Sequence, residues 1–154
     1  MQIWVDADAC PKLVKEVLYR AAQKRGLRLT LVANQPIVIP KSSWIGSLQV
    51  GGGFDVADNE ILRRLSPGDL VITADIPLAA QVIDKGGEAI DPRGDVYTAG
   101  NVRARLSERN FMAELRSAGV AAGGARPYTA RDTQAFANAL DRWLARRLPK
   151  EPTR

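Results

Sequence analysis

Short apolar segments alternate with amphipathic segments along this chain, and that alternation limits its fold more than any other feature. The apolar segments, each bounded by turn residues, are 2–6, 27–33, 47–50, 69–73 and 88–90. The intervening segments carry apolar residues at spacings of three and four, which is typical of helices that cover a sheet. Strands that alternate with helices form right-handed crossovers. The sequence therefore predicts an α/β fold: a three-layer domain whose central, mainly parallel five-stranded sheet is flanked by helices.

Length and composition favour one globular domain. The chain has 154 residues, with 45% hydrophobic and 25% charged residues, which are ordinary values for a globular protein. We expect a single domain over 1–148 and a flexible tail over 149–154, after Pro149. No signal-peptide pattern or long apolar run is present, and Cys10 is the only cysteine. We therefore expect a cytoplasmic protein with no membrane partner.

The residues that are missing exclude several kinds of chemistry. The chain contains no histidine, so Ser-His and Cys-His nucleophile pairs and imidazole metal ligands are excluded. Any acid-base or metal chemistry must then depend on carboxylates. Residues 103–154 hold 11 Lys/Arg against 5 Asp/Glu, whereas residues 1–102 hold 11 against 12. A basic final third suits a polyanion such as RNA, although a solvated helix face has the same composition.

Acidic residues follow three of the predicted strands. Asp6 and Asp8 come after the first strand, Asp55, Asp58 and Glu60 after the third, and Asp75 after the fourth. Ligands of open α/β sheets bind beyond the carboxyl ends of the strands, where these acids would meet. Such a cluster repels itself unless a cation neutralises it, and Mg²⁺ or Mn²⁺ prefers carboxylate oxygen. The alternative is that acids such as Asp8 and Asp55 only cap helices.

Two other features suggest chemistry but are better explained by structure. Cys10 precedes Pro11 at a predicted helix start, yet the phosphatase pattern C-x5-R would need arginine where the chain has Glu16. We therefore predict a packed, unreactive cysteine. The glycine run at 51–53 lacks the lysine and the spacing of a phosphate-binding loop, so we predict a flexible turn from strand to helix.

Several longer motifs occur in a specific order. They are VDADACP at 5–11, DVAD at 55–58, DLVITADIPLA at 69–79, DPRG at 91–94 with Tyr97-Thr98, then Asn101, Leu106, Arg109, Tyr128-Thr129, Asp132 and Phe136. Over about 2–144 the chain resembles the YaiI/YqxD family of bacterial proteins, which has no established biochemical function. That family is grouped with PIN-like domains, whose nuclease members bind Mg²⁺ or Mn²⁺ through aspartates at strand ends.

The resemblance implies a particular site. It would consist of Asp6, Asp58 and Asp75, with Asp8 beside them as a further ligand or base. PIN nucleases often have a glutamate in the mid-chain helix, a position that Asp58 matches better than Glu60 does. Whether Asp55 or Glu60 joins the site stays open at this point.

Our main hypothesis from the sequence is a Mg²⁺- or Mn²⁺-dependent nuclease that acts on RNA. The residues expected to bind substrate phosphates are Arg93, Arg103 and Arg105, and those expected to orient ligands from strand ends are Asn34 and Thr73. One alternative is a haloacid-dehalogenase-like phosphatase that uses Asp6 and Asp8 as nucleophile and acid. A second alternative is a nucleic-acid-binding module without turnover.

Overall fold

The computed structural model describes residues 1–53, 55–119 and 126–148. Its elements are β1 (Ile3–Asp6), a 3-10 turn (Ala7–Ala9), α1 (Lys12–Arg25), β2 (Leu29–Ala33), β3 (Ile45–Gln49), α2 (Val56–Arg64), β4 (Leu70–Ile72), α3 (Ile76–Asp84), β5 (Glu88–Ile90), β6 (Val96–Tyr97), α4 (Val102–Ser117) and α5 (Ala130–Arg147). The six strands form one sheet with the order β3-β2-β1-β4-β5-β6. The predicted α/β class is confirmed.

The prediction of five strands was wrong by one. Strands β1 to β5 pair in parallel, but β6 adds an antiparallel edge in which Tyr97 lies opposite Ala89. This strand has only two residues and follows the 91–94 turn, so no alternation of apolar residues reveals it in the sequence. The third strand also begins at Ile45, earlier than predicted.

Each central strand contributes to a hydrophobic core on both faces of the sheet. In β1, Ile3 and Val5 pack on the side covered by α1 and α5, whereas Trp4 packs on the side covered by α2, α3 and α4. Alternate side chains of a strand point to opposite faces. The same alternation places Asp6, two residues after Trp4, on the α2 and α3 side. Thr73 lies on that side too, two residues after Val71, which packs there.

Capping residues that are common in proteins end the first helix and begin the last one. α1 stops at Gly26, whose φ of 62° is the left-handed conformation that favours glycine. α5 begins with a capping box in which Thr129 and Asp132 bind each other's backbone N–H groups. The turn that the sequence predicts at Gly123-Gly124 and the tail that it predicts at 149–154 lie outside the described residues. Within the described residues, no helix is long and apolar enough to cross a membrane.

Candidate metal centre

The site lies where β1 and β4 end beside each other. Val5 pairs with Ile72 in the parallel register, so the next residues along the two strands, Asp6 and Thr73, are neighbours. The buried Thr73 hydroxyl donates to Oδ2 of Asp6 at 3.0 Å and accepts the backbone N–H of Asp75 at 3.0 Å. One hydroxyl therefore joins both strand ends to the start of α3.

Two helix starts bring three more carboxylates to this edge. Asp75 caps α3, with its Oδ1 accepting the Leu78 backbone N–H at 3.0 Å. Asp55 precedes α2, and Asp58 lies in the first turn of that helix. Asp55, Asp58 and Asp75 each offer one carboxylate oxygen, and these three oxygens lie within 4.8 Å of one another. This spacing allows one cation to contact all three side chains.

Asp55 adopts an unusual backbone conformation. Its φ of 61° is the only positive value at a non-glycine position among the described residues. Aspartate tolerates the left-handed region better than most residues, but strain of order 1 kcal/mol remains. The Asp55 side chain does not cap α2, so helix capping does not account for its position.

Two carboxyl groups at this edge of the sheet, those of Asp58 and Asp6, have raised pKa values. Burial is the largest cause at Asp58, followed by the charges of Asp75 and Asp6, and together they raise the pKa of Asp58 to about 7. Burial also raises the pKa of Asp6, although the hydrogen bond from Thr73 opposes that shift. A carboxyl group with the pKa of Asp58 is partly protonated at neutral pH unless a positive charge is supplied.

Asp8 and Asn34 lie at the adjoining strand ends. Asp8 is exposed in the 3-10 turn, and its Oδ2 accepts the Asn34 backbone N–H at 2.8 Å. Asn34 thus contacts Asp8 through its backbone, and its buried side-chain Oδ1 has no hydrogen-bond partner among the described residues. The charge of Asp8 contributes to the raised pKa of Asp6, so these two acids are electrostatically coupled.

The structure distinguishes Asp55 from Glu60, the two acids whose place in the site the sequence left undecided. Asp55 belongs to the carboxylate group, whereas Glu60 binds Arg63 and Arg64 on the outer surface of α2, at 2.5 Å and 2.6 Å. Those arginines hold the pKa of Glu60 down at about 2. Asp55 and Asp58 are three residues apart in the sequence, which indicates neighbouring side chains, although Asp55 lies just before the helix rather than in it.

The predicted phosphate-binding arginines have different surroundings. Arg93 binds Asp132 at 3.0 Å and stacks over the Tyr128 ring, 5.5 Å from its centroid. Arg105 binds Asp95 at 3.3 Å, and its guanidinium lies 5.4 Å from the centroid of the Tyr97 ring. Arg103 is exposed on α4. Substrate binding by these residues stays a prediction.

Cys10 has the environment predicted for it. The thiol is buried, and burial raises its pKa to about 12. A thiol with that pKa stays protonated at neutral pH and is a poor nucleophile. The chemistry of this sheet edge therefore depends on its carboxylates.

All the charged donors gathered here are carboxylate oxygens, the ligand type that Mg²⁺ and Mn²⁺ favour. A family model described as "Uncharacterized BCR, YaiI/YqxD family" matches residues 4–146. The chain belongs to this family. The motifs that suggested the resemblance include all five aspartates of this edge: Asp6, Asp8, Asp55, Asp58 and Asp75.

Relatives in this family match nearly the whole chain. A "UPF0178 protein" of Shewanella amazonensis is 62% identical over 150 residues, which cover 97% of this chain and 100% of the relative. Another from Aromatoleum aromaticum is 63% identical, covering 95% and 97%, and one from Thioalkalivibrio sulfidiphilus is 61% identical, covering 96% and 100%. No solved structure matches the chain. The names of these relatives describe no activity.

Proposed function

We propose that this protein is a divalent-metal-dependent phosphodiesterase that hydrolyses RNA at the carboxyl edge of its sheet. The observation that carries the proposal is the meeting of the Asp55, Asp58 and Asp75 carboxylate oxygens within 4.8 Å. The resemblance to PIN-like nucleases supports it, because those proteins also use aspartates at strand ends.

A cation explains why so many acids are held together. Without one, burial and the neighbouring carboxylates raise the pKa of Asp58 to about 7, so the folded state disfavours the ionised form of that side chain. Hard divalent cations bind carboxylate oxygens and retain water molecules that are available for reaction. Mg²⁺ and Mn²⁺ suit this donor set, which contains neither sulfur nor imidazole.

The side chains at this edge of the sheet have different roles in the proposed hydrolysis. Asp55, Asp58 and Asp75 would hold the ion, which would lower the pKa of bound water and stabilise negative charge on a phosphate. Thr73 fixes the carboxylate of Asp6 through its hydroxyl hydrogen bond. Asp8 is exposed and acts as a further ligand or as the base that takes the proton of the attacking water.

RNA is the proposed substrate because of the charge of the chain. The formal net charge is +5, although one edge of the sheet is strongly acidic. The excess positive charge lies in residues 103–154, which include α4 and α5. Of these two helices, α4 packs against α3, on the side of the sheet where the acidic side chains lie, and it has four arginines against two glutamates. Positive charge near a cation-binding acidic site suits a substrate that carries many phosphates rather than one.

The test compares two aspartate variants with a matched control. Asp58→Asn and Asp75→Asn should abolish both manganese binding, measured by calorimetry, and manganese-dependent cleavage of a labelled single-stranded RNA. Glu60→Gln removes an acid from the same helix as Asp58, but one that is paired with Arg63 and Arg64, so it should leave both properties unchanged. Manganese binding that survives in both aspartate variants would overturn the proposal.

The phosphatase alternative predicts a covalent intermediate. The hydrogen bond from Thr73 orients the carboxylate of Asp6, which would be the nucleophile of such an enzyme. Incubation with a phosphomonoester, acid quenching and mass spectrometry would then find a phosphate on Asp6. RNA cleavage without that adduct favours the nuclease, while manganese and RNA binding without turnover of either substrate favours a binding module.

A further inference from the structure

The strand β3 forms one edge of the sheet, and β2 pairs with only one of its two sides. The Trp44 carbonyl accepts the Leu29 N–H at 2.8 Å, and the Val50 N–H donates to the Ala33 carbonyl at 2.9 Å, so these groups point towards β2. The backbone groups of successive residues in a strand point alternately to its two sides. The N–H and C=O groups of the odd-numbered residues of β3 therefore point out of the sheet.

This edge lacks the features that usually prevent strands from pairing further. Native sheets protect their edges with charged residues, proline, bulges or very short strands. The segment 42–54 contains no charged residue and no proline, and β3 has five residues, whereas β6 at the other edge has two. Ser47 and Gln49 are exposed, and within the described part of the chain no hydrogen bond reaches their outward backbone groups. The edge is therefore open to another strand.

Exposed apolar side chains lie beside the same edge. Residues 35–37, in the loop between β2 and β3, line a small cavity of about 140 Å³ together with Ser47 and Gln49. Val38, the next residue of that loop, leaves 97% of its surface exposed, and Trp44, which directly precedes β3, leaves 42%. An uncharged strand edge flanked by exposed apolar side chains is typical of a surface that another chain covers.

We propose that two copies of this chain pair through β3 in antiparallel register, with Ser47 of one copy opposite Ser47 of the other. The outward-facing residues Ile45, Ser47 and Gln49 are symmetric about Ser47, so one register serves both copies. Each Ser47 then donates to and accepts from the other, and each Gln49 N–H donates to the Ile45 carbonyl of the second copy. The two six-stranded sheets become one continuous sheet.

A second copy fits this edge better than a foreign strand does. The edge carries no charge that would select a different partner, whereas the symmetric register needs only β3 itself. The pairing also leaves the candidate metal centre free, because that site lies where β1 and β4 end. The proposal is therefore independent of the proposed function.

Sedimentation velocity over a series of protein concentrations measures the pairing, and the unaltered protein should be a dimer. Ser47→Pro removes an outward N–H that β2 does not use, and its ring blocks the edge, so this variant should fold and stay monomeric. Ser47→Ala keeps the N–H and should dimerise as the unaltered protein does. Circular dichroism melting curves check that the proline variant is folded.

A charge swap tests the register even if the proline variant does not fold. Ser47→Lys places two like charges opposite each other in the dimer, as Ser47→Glu does, so each variant alone should dimerise about two- to five-fold more weakly. An equal mixture of the two should recover the affinity, because lysine then faces glutamate. The control is Ser107→Lys, the same change at an exposed serine of α4, which should leave the dimer unchanged.

Three results would overturn the proposal: an unaltered protein that stays monomeric up to its solubility limit, a folded Ser47→Pro variant that dimerises normally, or a lysine and glutamate mixture that associates no more tightly than either variant alone. The first result would leave the edge free for a strand of another protein. None of them bears on manganese binding, so failure of this proposal and failure of the proposed function are distinguishable.

Discussion

Thr73 donates its hydroxyl hydrogen to Oδ2 of Asp6 across 3.0 Å, and this link joins the ends of two neighbouring strands. The hydroxyl oxygen of Thr73 also accepts the backbone N–H of Asp75 at 3.0 Å, where α3 begins. A buried hydroxyl that both donates and accepts fixes two of the acidic residues relative to each other. The relative positions of Asp6 and Asp75 therefore do not depend on a bound ligand.

Replacing Thr73 by valine should loosen this arrangement. The variant keeps the shape but leaves the Asp75 N–H without its partner, at a cost of about 1–3 kcal/mol in the free energy of unfolding. It should also raise the pKa of Asp6 and weaken manganese binding. Thr73→Ser keeps the hydroxyl and should lose only about 1 kcal/mol, for its missing methyl group. Urea unfolding and calorimetry measure both effects, and unchanged manganese affinity in Thr73→Val would contradict this role.

Asp75 has two roles, which a pair of substitutions separates. Asp75→Asn retains an oxygen that can accept the Leu78 N–H while removing a negative charge, so the metal-free protein should be equally or more stable. Asp75→Ala also removes the cap, which costs about 0.5–2 kcal/mol relative to Asp75→Asn.

Neither Asp75 variant should gain thermal stability from manganese, whereas the unaltered protein at 100 times the dissociation constant gains about 2.7 kcal/mol. Melting curves recorded in EDTA and in manganese provide the comparison. A full manganese response in Asp75→Asn would show that the ion binds elsewhere.

The parallel core of the fold was predictable because it leaves strong local signals. Buried strands such as β4 are continuous apolar runs between turn residues, and the helix ends at Gly26 and Thr129 follow known capping preferences. β6 was missed because its pairing depends on contacts with β5 rather than on its own two residues. Tertiary pairing of that kind leaves no pattern in a single sequence.

For the candidate site, the sequence indicated some of the acids that lie near one another, but not all of them. The position of Asp6 and Asp75 after strands indicated that they would meet, since parallel strands end at one edge. The sequence does not show whether Asp55 or Glu60 joins them, because that depends on how α2 is rotated. Nor does it show that the Arg93 guanidinium binds Asp132, which lies nearly forty residues away in sequence and is buried.

Gly94 provides a test of how tightly the 91–94 turn is packed on α5. Its φ is +94°, and an added Cβ would lie 2.6 Å from the backbone carbon of Ala135. Gly94→Ala should therefore lower the free energy of unfolding by about 3 kcal/mol or more, through strain and overlap with backbone atoms that cannot move aside. Gly51→Ala, in a turn with open space around the position, should cost much less. Equal unfolding midpoints would contradict the packing.

The acidic cluster also predicts how stability depends on pH in the metal-free protein. Burial and the charges of Asp75 and Asp6 raise the pKa of Asp58 from its ordinary 3.8 to about 7 in the folded state. Between these values the unfolded chain has released the proton that the folded protein retains. The contribution of the protonated Asp58 to the free energy of unfolding is therefore fully present below about pH 3.8. It is lost as the pH rises through about 7.

Asp58→Asn removes this dependence, so the stability of the unaltered protein relative to the variant should fall steadily between about pH 4 and pH 7 in EDTA. Using the difference between the two proteins cancels the titrating groups that do not interact with Asp58, including Glu60, whose pKa of about 2 in the folded protein lies below this range. Urea unfolding at a series of pH values measures it. In manganese the trend should reverse, because a bound cation favours the ionised carboxylate and releases its proton. If the free energies of unfolding of the two proteins in EDTA changed in parallel with pH, the pKa of Asp58 would not be raised by folding. That result would contradict the electrostatic argument for a cation at this edge.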